Sequence, residues 1–413
     1  MRPLLPLRHR MSLGGTIAAV TDARSRSRST AAILSVVILV AINLRLALSS
    51  LPAVATAIQA DTGWSDAFIG ALTTVPVLAM GAFALGVPAL AERIGRRRAV
   101  AAALATMTIA LALRGFGAFA LTLLLSALLA GLAIAILGGL VPGIVREQLS
   151  GSMGTATALW TTAMMGGAAL GAAATLPLAD LLGGWNRALA IWAIPAIAGL
   201  IAWSVLESGT QAHDRPPTLV RLRDLPWRSP TAWALTGFMT LNSIVFYSAL
   251  AWIAPSYEER GYTAETAGIF FGIFTASQMI GALILPRWSH RTRHRRTLFS
   301  VTLVTCVVAI GSIAFVPTFA PPIVLTIFAV SLSGGFAMAL GLLSEYARDA
   351  SGSARLTAMA FSITYSVAAF GPLIAGILMD WINSWTLVFV LMGAVTLAQF
   401  LAIPLLKKDV TIA

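Results

Sequence analysis

Cysteine occurs once in this chain, at Cys306, inside an apolar run. A single thiol excludes an intrachain disulfide and any zinc site built on paired cysteines; Cys306 reads as a small packing residue. Charge is almost as scarce. Only 11% of the 413 residues are charged, against about 25% in a soluble domain. The 16 acids fall in termini, turns or the ends of apolar runs, and the four histidines (His9, His213, His290, His294) lie outside the runs. No Gly-x-x-x-x-Gly-Lys-Ser/Thr loop is present, so no ATP-driven engine is encoded. The scattered loop charges supply neither a nucleophile–base set nor a group of metal ligands. That argues against a membrane enzyme, and no cofactor or metal is expected.

What is abundant is hydrophobicity: 58% of the chain, with a mean hydropathy of +0.86. The apolar residues come in repeated stretches of about 20, each long enough to cross about 30 Å of hydrocarbon as a helix. The expected fold class is an all-α membrane protein. A β-barrel would instead show short alternating strands. The runs predict about twelve spans, near residues 31–58, 66–91, 98–115, 119–145, 153–180, 185–206, 231–256, 264–286, 297–316, 321–346, 355–380 and 385–406. Turn residues separate them, among them Asp61-Thr-Gly63, Gly183-Gly184 and Pro317 to Pro322. Residues 1–30, rich in Arg and Ser, are expected to be a disordered cytoplasmic tail, with Met11 as a second initiation position. Residues 31–207 form one six-helix bundle, 208–230 a cytoplasmic linker, 231–406 a second bundle and 407–413 a short cytoplasmic tail.

The net charge of +12 invites a nucleic-acid reading, but the basic residues sit in short turns between spans. They set orientation instead. With the N-terminus inside and the spans alternating, the outer turns hold only Arg114, Arg187 and Arg260, against Asp61, Asp66, Asp180, Glu258, Glu259, Glu265 and Asp380. Every other basic residue except Arg45 then lies on the cytoplasmic side, as the positive-inside rule requires. The protein is expected in the inner (plasma) membrane with both termini cytoplasmic.

The two halves repeat each other. At a shift of 198, Gly63, Gly70, Pro88, Arg97 and Arg98 fall on Gly261, Gly268, Pro286, Arg295 and Arg296. At a shift of 200, Thr157, Ala158, Gly171, Asp180 and Trp185 fall on Thr357, Ala358, Gly371, Asp380 and Trp385. Two duplicated six-span halves fit a transporter that holds its cargo near the midplane between the halves.

Arg45 stands out because it lies near the middle of the first span, the only basic residue read as deep in the membrane. A charge there costs about 2.5–3.5 kcal/mol on insertion scales, so it faces a bundle interior or a water-filled path. Its five donors in a planar fork suit a small anion or a nitro or carboxylate group. It either contacts cargo or is tied to backbone carbonyls. Asn43, two residues earlier, sits about 200° away on an ideal helix and cannot share its face. Asn242, Tyr247, Gln278, Tyr365 and Trp160 are further mid-span candidates for lining a cavity, and each also fits interhelical packing. Trp160 and Tyr365 could stack on a flat heteroaromatic cargo. No acid lies clearly within a span; Glu147 and Glu345, at the cytoplasmic ends of spans four and ten, come nearest and are the candidates for ion coupling.

The segment Gly86-Val-Pro-Ala-Leu-Ala-Glu92-Arg93-Ile-Gly95-Arg96-Arg97-Arg98 resembles the loop signature of the major facilitator superfamily between spans two and three. Glu92 stands where that signature has Asp, and Pro88 where it begins with Gly. Asn43-Leu-Arg45, Leu72-Thr-Thr-Val-Pro76, Gly184-Trp185-Asn-Arg187-Ala188-Leu189 and Phe370-Gly-Pro372 through Asp380 resemble the cyanate and nitroimidazole transporter branch. That branch often has Pro after Asn-Leu-Arg; here the residue is Leu46. The resemblance implies a secondary carrier working by alternating access, usually as a monomer, on a small anion or small polar nitrogen compound. It also implies that Glu92, Arg93, Gly95, Arg96 and Arg97 form a cytoplasmic gate, although the Arg97/Arg98 and Arg295/Arg296 clusters equally fit topology and contact with anionic lipid. A drug efflux pump and a sensor that kept the fold without transport remain as alternatives.

Overall fold

The computed structural model describes residues 33–148, 153–207, 222–292 and 294–406. The N-terminal tail, most of the linker and the C-terminal tail lie outside the described residues. So do the side chains at 145–148, and with them Glu147.

In the first half come α1 (Ile33–Ser49), a short 3-10 turn (Pro52–Val54) and α2 (Ala55–Thr62). They are followed by α3 (Asp66–Ala84), α4 (Val87–Ile94), α5 (Arg96–Leu113), α6 (Ala120–Gln148), α7 (Met153–Leu182), α8 (Trp185–Ala190) and α9 (Ala193–Glu207). The second half holds α10 (Pro230–Glu258), α11 (Ala264–Arg291), α12 (Arg295–Phe315) and α13 (Pro321–Glu345). Then come α14 (Ala350–Ala368), α15 (Phe370–Ile382) and α16 (Trp385–Ala398), which ends in a 3-10 segment, Gln399–Leu405. Among the described residues, eleven helices are long and apolar enough to span a membrane, and the bent pair at α1 and α2 makes a twelfth. Large apolar side chains such as Leu121, Ile201, Val308, Ile323 and Leu401 stay exposed. A lipid solvent accepts them where water would not.

The first span is not continuous. It bends by 40° between α1 and the turn at Pro52. Proline has no N–H to donate and its ring crowds the carbonyl four residues back, which favours a break here, although α3 continues through Pro76.

The duplication is visible in detail. Gly63 and Gly261 both close their helices with positive φ, +70° and +92°. Ser65 and Thr263, 198 apart, both cap the next helix through their hydroxyls. The indole N–H of Trp185 donates to Asp61 at 3.0 Å, and that of Trp385 donates to Glu259 at 2.8 Å. Gly171 lets α7 lie against Ser49 and the Leu46 carbonyl; Gly371 lets α15 lie against Ser248 and the Ile244 carbonyl. Each half therefore crosses its first and fifth spans in the same way.

Close helix crossings depend on such small residues. At Gly131 on α6, a Cβ would run into the backbone of Pro76, inside α3. Gly131→Val is expected to destabilise the protein by about 2–3 kcal/mol, since rigid backbone must move. Thermal unfolding in detergent, with Gly138→Val as the control because no atom lies within 4 Å of a Cβ there, measures it.

The halves meet along two seams, α3 against α14 and α15, and α7 against α11. One apolar cluster runs through the first half and on into Tyr247, Phe274, Phe328 and Phe389 of the second. A separate cluster, with Leu235, Phe299, Leu342, Tyr346 and Leu356, fills the other end of the second half alone. The shared core thus joins the halves at the end carrying Asp61, Asp66, Glu259 and Asp380, called the acidic end below.

Candidate functional site

Arg45 lies midway along the first span and is half-buried. Its guanidinium stacks over the ring of Phe246, on α10 of the other half, at 5.3 Å from the ring centre. Phe246 meets Tyr247 edge to face at 4.9 Å, and Tyr247 meets Tyr365 of α14 at 6.3 Å. Phe361, one turn before Tyr365, extends the set at 5.5 Å. Arg45 lies within electrostatic range of both tyrosine phenols. One cation from the first half and four rings from the second therefore form a single group across the interface. No carboxylate of the described residues pairs with Arg45. A cation–π contact contributes about 0.5–2 kcal/mol, which offsets only part of the cost of placing the charge there.

The other candidates divide. Tyr247 and Tyr365 join Arg45. Asn43 does not: fully buried, it donates to the carbonyls of Leu39, at 2.8 Å, and Pro195, at 3.0 Å, and so ties α1 to α9. Asn242 ties α10 to α13 through the Leu332 carbonyl at 3.2 Å. Gln278 is buried on α11, where its backbone carbonyl accepts from Ser333 at 2.8 Å. Trp160 is half-buried against the first-half core. Phe246 and Phe361 have no counterpart in the sequence reading, because a phenylalanine in a span looks the same whether it faces lipid or cargo.

Arg114 adds what the sequence does not show: it sits in the 3-10 turn that ends α5, yet its side chain is buried at 3% exposure. Its Nη2 donates to the Ala47 carbonyl at 2.8 Å, Nη1 to the Ser50 hydroxyl at 3.0 Å and Nε to the Ser126 hydroxyl at 3.1 Å. Ala47 and Ser50 lie at the break in the first span, where helix carbonyls lose N–H donors, and Ser126 lies on α6. Arg114 serves structure; among the described residues Arg45 has no comparable set of hydrogen bonds.

At the basic end, Gly95 takes φ +85° between α4 and α5, a conformation that favours glycine. Glu92 and Arg93 are exposed, Arg96 is half-buried, and the Arg97 carbonyl accepts from the Trp203 indole at 3.2 Å. In the second half Arg295, 198 residues after Arg97, is buried and pairs with Glu345 at 2.9 Å. Glu345 is thus engaged in an ion pair with Arg295.

At the acidic end, carboxylates gather where the halves close. Asp380 accepts from the backbone N–H groups of Asp66 and Ala67 at 2.8 and 2.9 Å. Gln59 donates to Asp66 at 2.7 Å. Burial raises the Glu259 carboxyl above its ordinary range, although the Trp385 indole N–H works the other way. Arg260, half-buried beside it, stacks on Phe389 at 5.3 Å.

Comparison with known proteins agrees with this architecture. The chain is 29% identical to the cyanate transport protein of Escherichia coli (strain K12) over 84% of its own length and 92% of that protein. It is 28% identical to the 2-nitroimidazole transporter of the same organism, over 89% of this chain and 92% of that one. Among solved structures, a bacterial homologue of the human lysosomal transporter Spinster, inward-facing and unoccupied, superposes with a TM-score of 0.75. That likeness covers 93% of this chain and 98% of the other at 16% identity, and so speaks for the fold alone. The family model described as Major Facilitator Superfamily matches residues 33–369. With that match over most of the chain, and up to twelve spans among the described residues arranged in two repeated halves, the chain belongs to the major facilitator superfamily of secondary transporters.

Proposed function

We propose that this transporter carries a small anion or small polar nitrogen compound across the inner membrane by alternating access, with Arg45 as the contact that holds it. The observation behind this reading is the mid-membrane guanidinium that stacks on Phe246 and, among the described residues, has no carboxylate partner. A charge without a fixed counter-ion is poised for a mobile one. The rings of Phe246, Tyr247, Phe361 and Tyr365 would bound the cargo on the second-half side, and the two phenols would offer hydroxyls to its polar edge. The similarity to cyanate and 2-nitroimidazole transporters points to the same class of flat, compact solutes. The basic end is taken as cytoplasmic, which makes the acidic end the closed outer face in this conformation.

A pump for large lipophilic cations fits less well, since the central charge is positive and no carboxylate of the described residues stands beside it. Uptake of labelled cyanate by proteoliposomes containing the purified protein, with and without excess 2-nitroimidazole, tests the proposal. Saturable uptake that 2-nitroimidazole suppresses is the expected result. Folded protein that moves neither solute above the empty-liposome rate would exclude both.

A further inference from the structure

Asp380 occupies an unfavourable place in its own helix. It lies in the last turn of α15, where the helix dipole presents its negative end. Its two oxygens instead reach the first turn of α3, in the other half, and take the N–H groups of Asp66 and Ala67 at 2.8 and 2.9 Å. Those are the first two residues of α3, whose N–H groups have no partner within the helix. The next N–H, that of Phe68, goes to Ser65. The start of one half's helix is thus capped by a carboxylate from the other half.

The seam beneath is closed to match. A Cβ on Gly376 would strike the Asp66 backbone, and one on Gly70 would meet the Pro372 carbonyl. The Thr74 hydroxyl donates to the Ala369 carbonyl at 2.6 Å. On the second-half side, the Trp252 indole holds the Pro372 carbonyl at 2.9 Å.

Pseudo-symmetry supplies an internal control. The counterpart of Asp380 at a shift of 200 is Asp180, at the end of α7, and the counterpart of the α3 start is the start of α11. Asp180 is exposed, and no hydrogen bond of the described residues joins it to α11, whose cap is its own Thr263. The repeat would allow two such caps, and this conformation contains one.

We infer that Asp380 is the latch of the acidic-end gate, a carboxylate that caps α3 when the halves close there and releases it when they part. Only contacts that differ between two conformations can shift their balance. This one exists only in the closed state, because parting the halves returns both the carboxylate and the N–H groups to water. Asp66 and Asp380 carboxylates lie within electrostatic range of each other, and Glu259 lies within range of Asp66. That repulsion keeps the closure reversible. The latch concerns the gate and does not depend on which solute is carried.

The test is a distance measurement between nitroxide labels at Phe119→Cys and Phe319→Cys, exposed positions between α5 and α6 and between α12 and α13. The background is Cys306→Ala in the otherwise complete protein. Asp380→Ala is expected to move the ratio of separated to closed populations at least about tenfold toward separation, in line with the loss of two charge-assisted hydrogen bonds. Asp380→Asn, which keeps one acceptor oxygen, is expected to fall between, and it carries the test if the alanine variant does not fold. Asp180→Ala is expected to leave the distribution as in the parent. The inference is overturned if the Asp380 variants match the parent, or if Asp180→Ala opens the acidic end to the same degree.

Discussion

Replacing Arg45 with alanine is expected to lower the transport efficiency of the carried solute about 100-fold while leaving the protein folded. The magnitude follows from losing one charge-assisted, bidentate contact worth about 3 kcal/mol in a site sheltered from water. Stability should change little or rise. Among the described residues no carboxylate pairs with Arg45, and its guanidinium stacks on the Phe246 ring, so the fold gives up one cation–π contact and is relieved of a charge in mid-membrane. Lysine at this position keeps the charge but presents a point donor in place of a planar fork, so Arg45→Lys should restore only part of the loss. Initial uptake rates against solute concentration for the three proteins, with a melting curve in detergent for each, separate the two roles. A structural arginine would show the opposite pattern, with a lowered melting temperature and transport per folded molecule unchanged. Asn43 has the structural arrangement, since its amide NH2 already donates to both α1 and α9.

The parts of this molecule that were legible in the sequence are those fixed by local chemistry. A run of about 20 apolar residues can do little in a bilayer except form a helix, so the spans follow from hydropathy. Gly63 and Gly261 needed positive φ, and Trp185 and Trp385 needed an acceptor for an indole N–H near the interface. Both requirements reappear at nearly the same spacing. The 200° offset between Asn43 and Arg45 also carried through, with one residue facing α9 and the other facing Phe246. What the sequence hid depends on partners brought from elsewhere in the chain. Arg114 is a turn residue, as the charge beside Gly115 suggests, but its burial is not visible in the sequence. Its burial depends on Ala47, Ser50 and Ser126, which packing alone brings to it. Asp380 was visible as a repeat of Asp180, yet only one of them meets a helix start. That difference belongs to the conformation and is written in neither copy of the repeat.

Arg114→Ala is expected to be the most destabilising of the arginine substitutions, by about 3–5 kcal/mol, because it removes a buried charge with all its hydrogen bonds and leaves a cavity. The Ala47 carbonyl would lose its donor at the point where Pro52 has already broken the helix, and the hydroxyls of Ser50 and Ser126 would face an empty space. A buried acceptor left without a partner costs about 1–3 kcal/mol. Arg114→Met fills most of the volume but serves none of the acceptors, so it should recover part of the loss. Arg114→Lys keeps one donor cluster that cannot reach three divergent oxygens at once, and should also fall short of the parent. Hydrogen exchange adds the local readout: amides of α1 near Ala47 and Ser50, and of α2 beyond the break, should lose protection first in the alanine variant. If melting and exchange of Arg114→Ala both match the parent, the guanidinium does not hold the break, and the bend at Pro52 must be secured by the packing of α1 on α7 at Gly167 and Gly171.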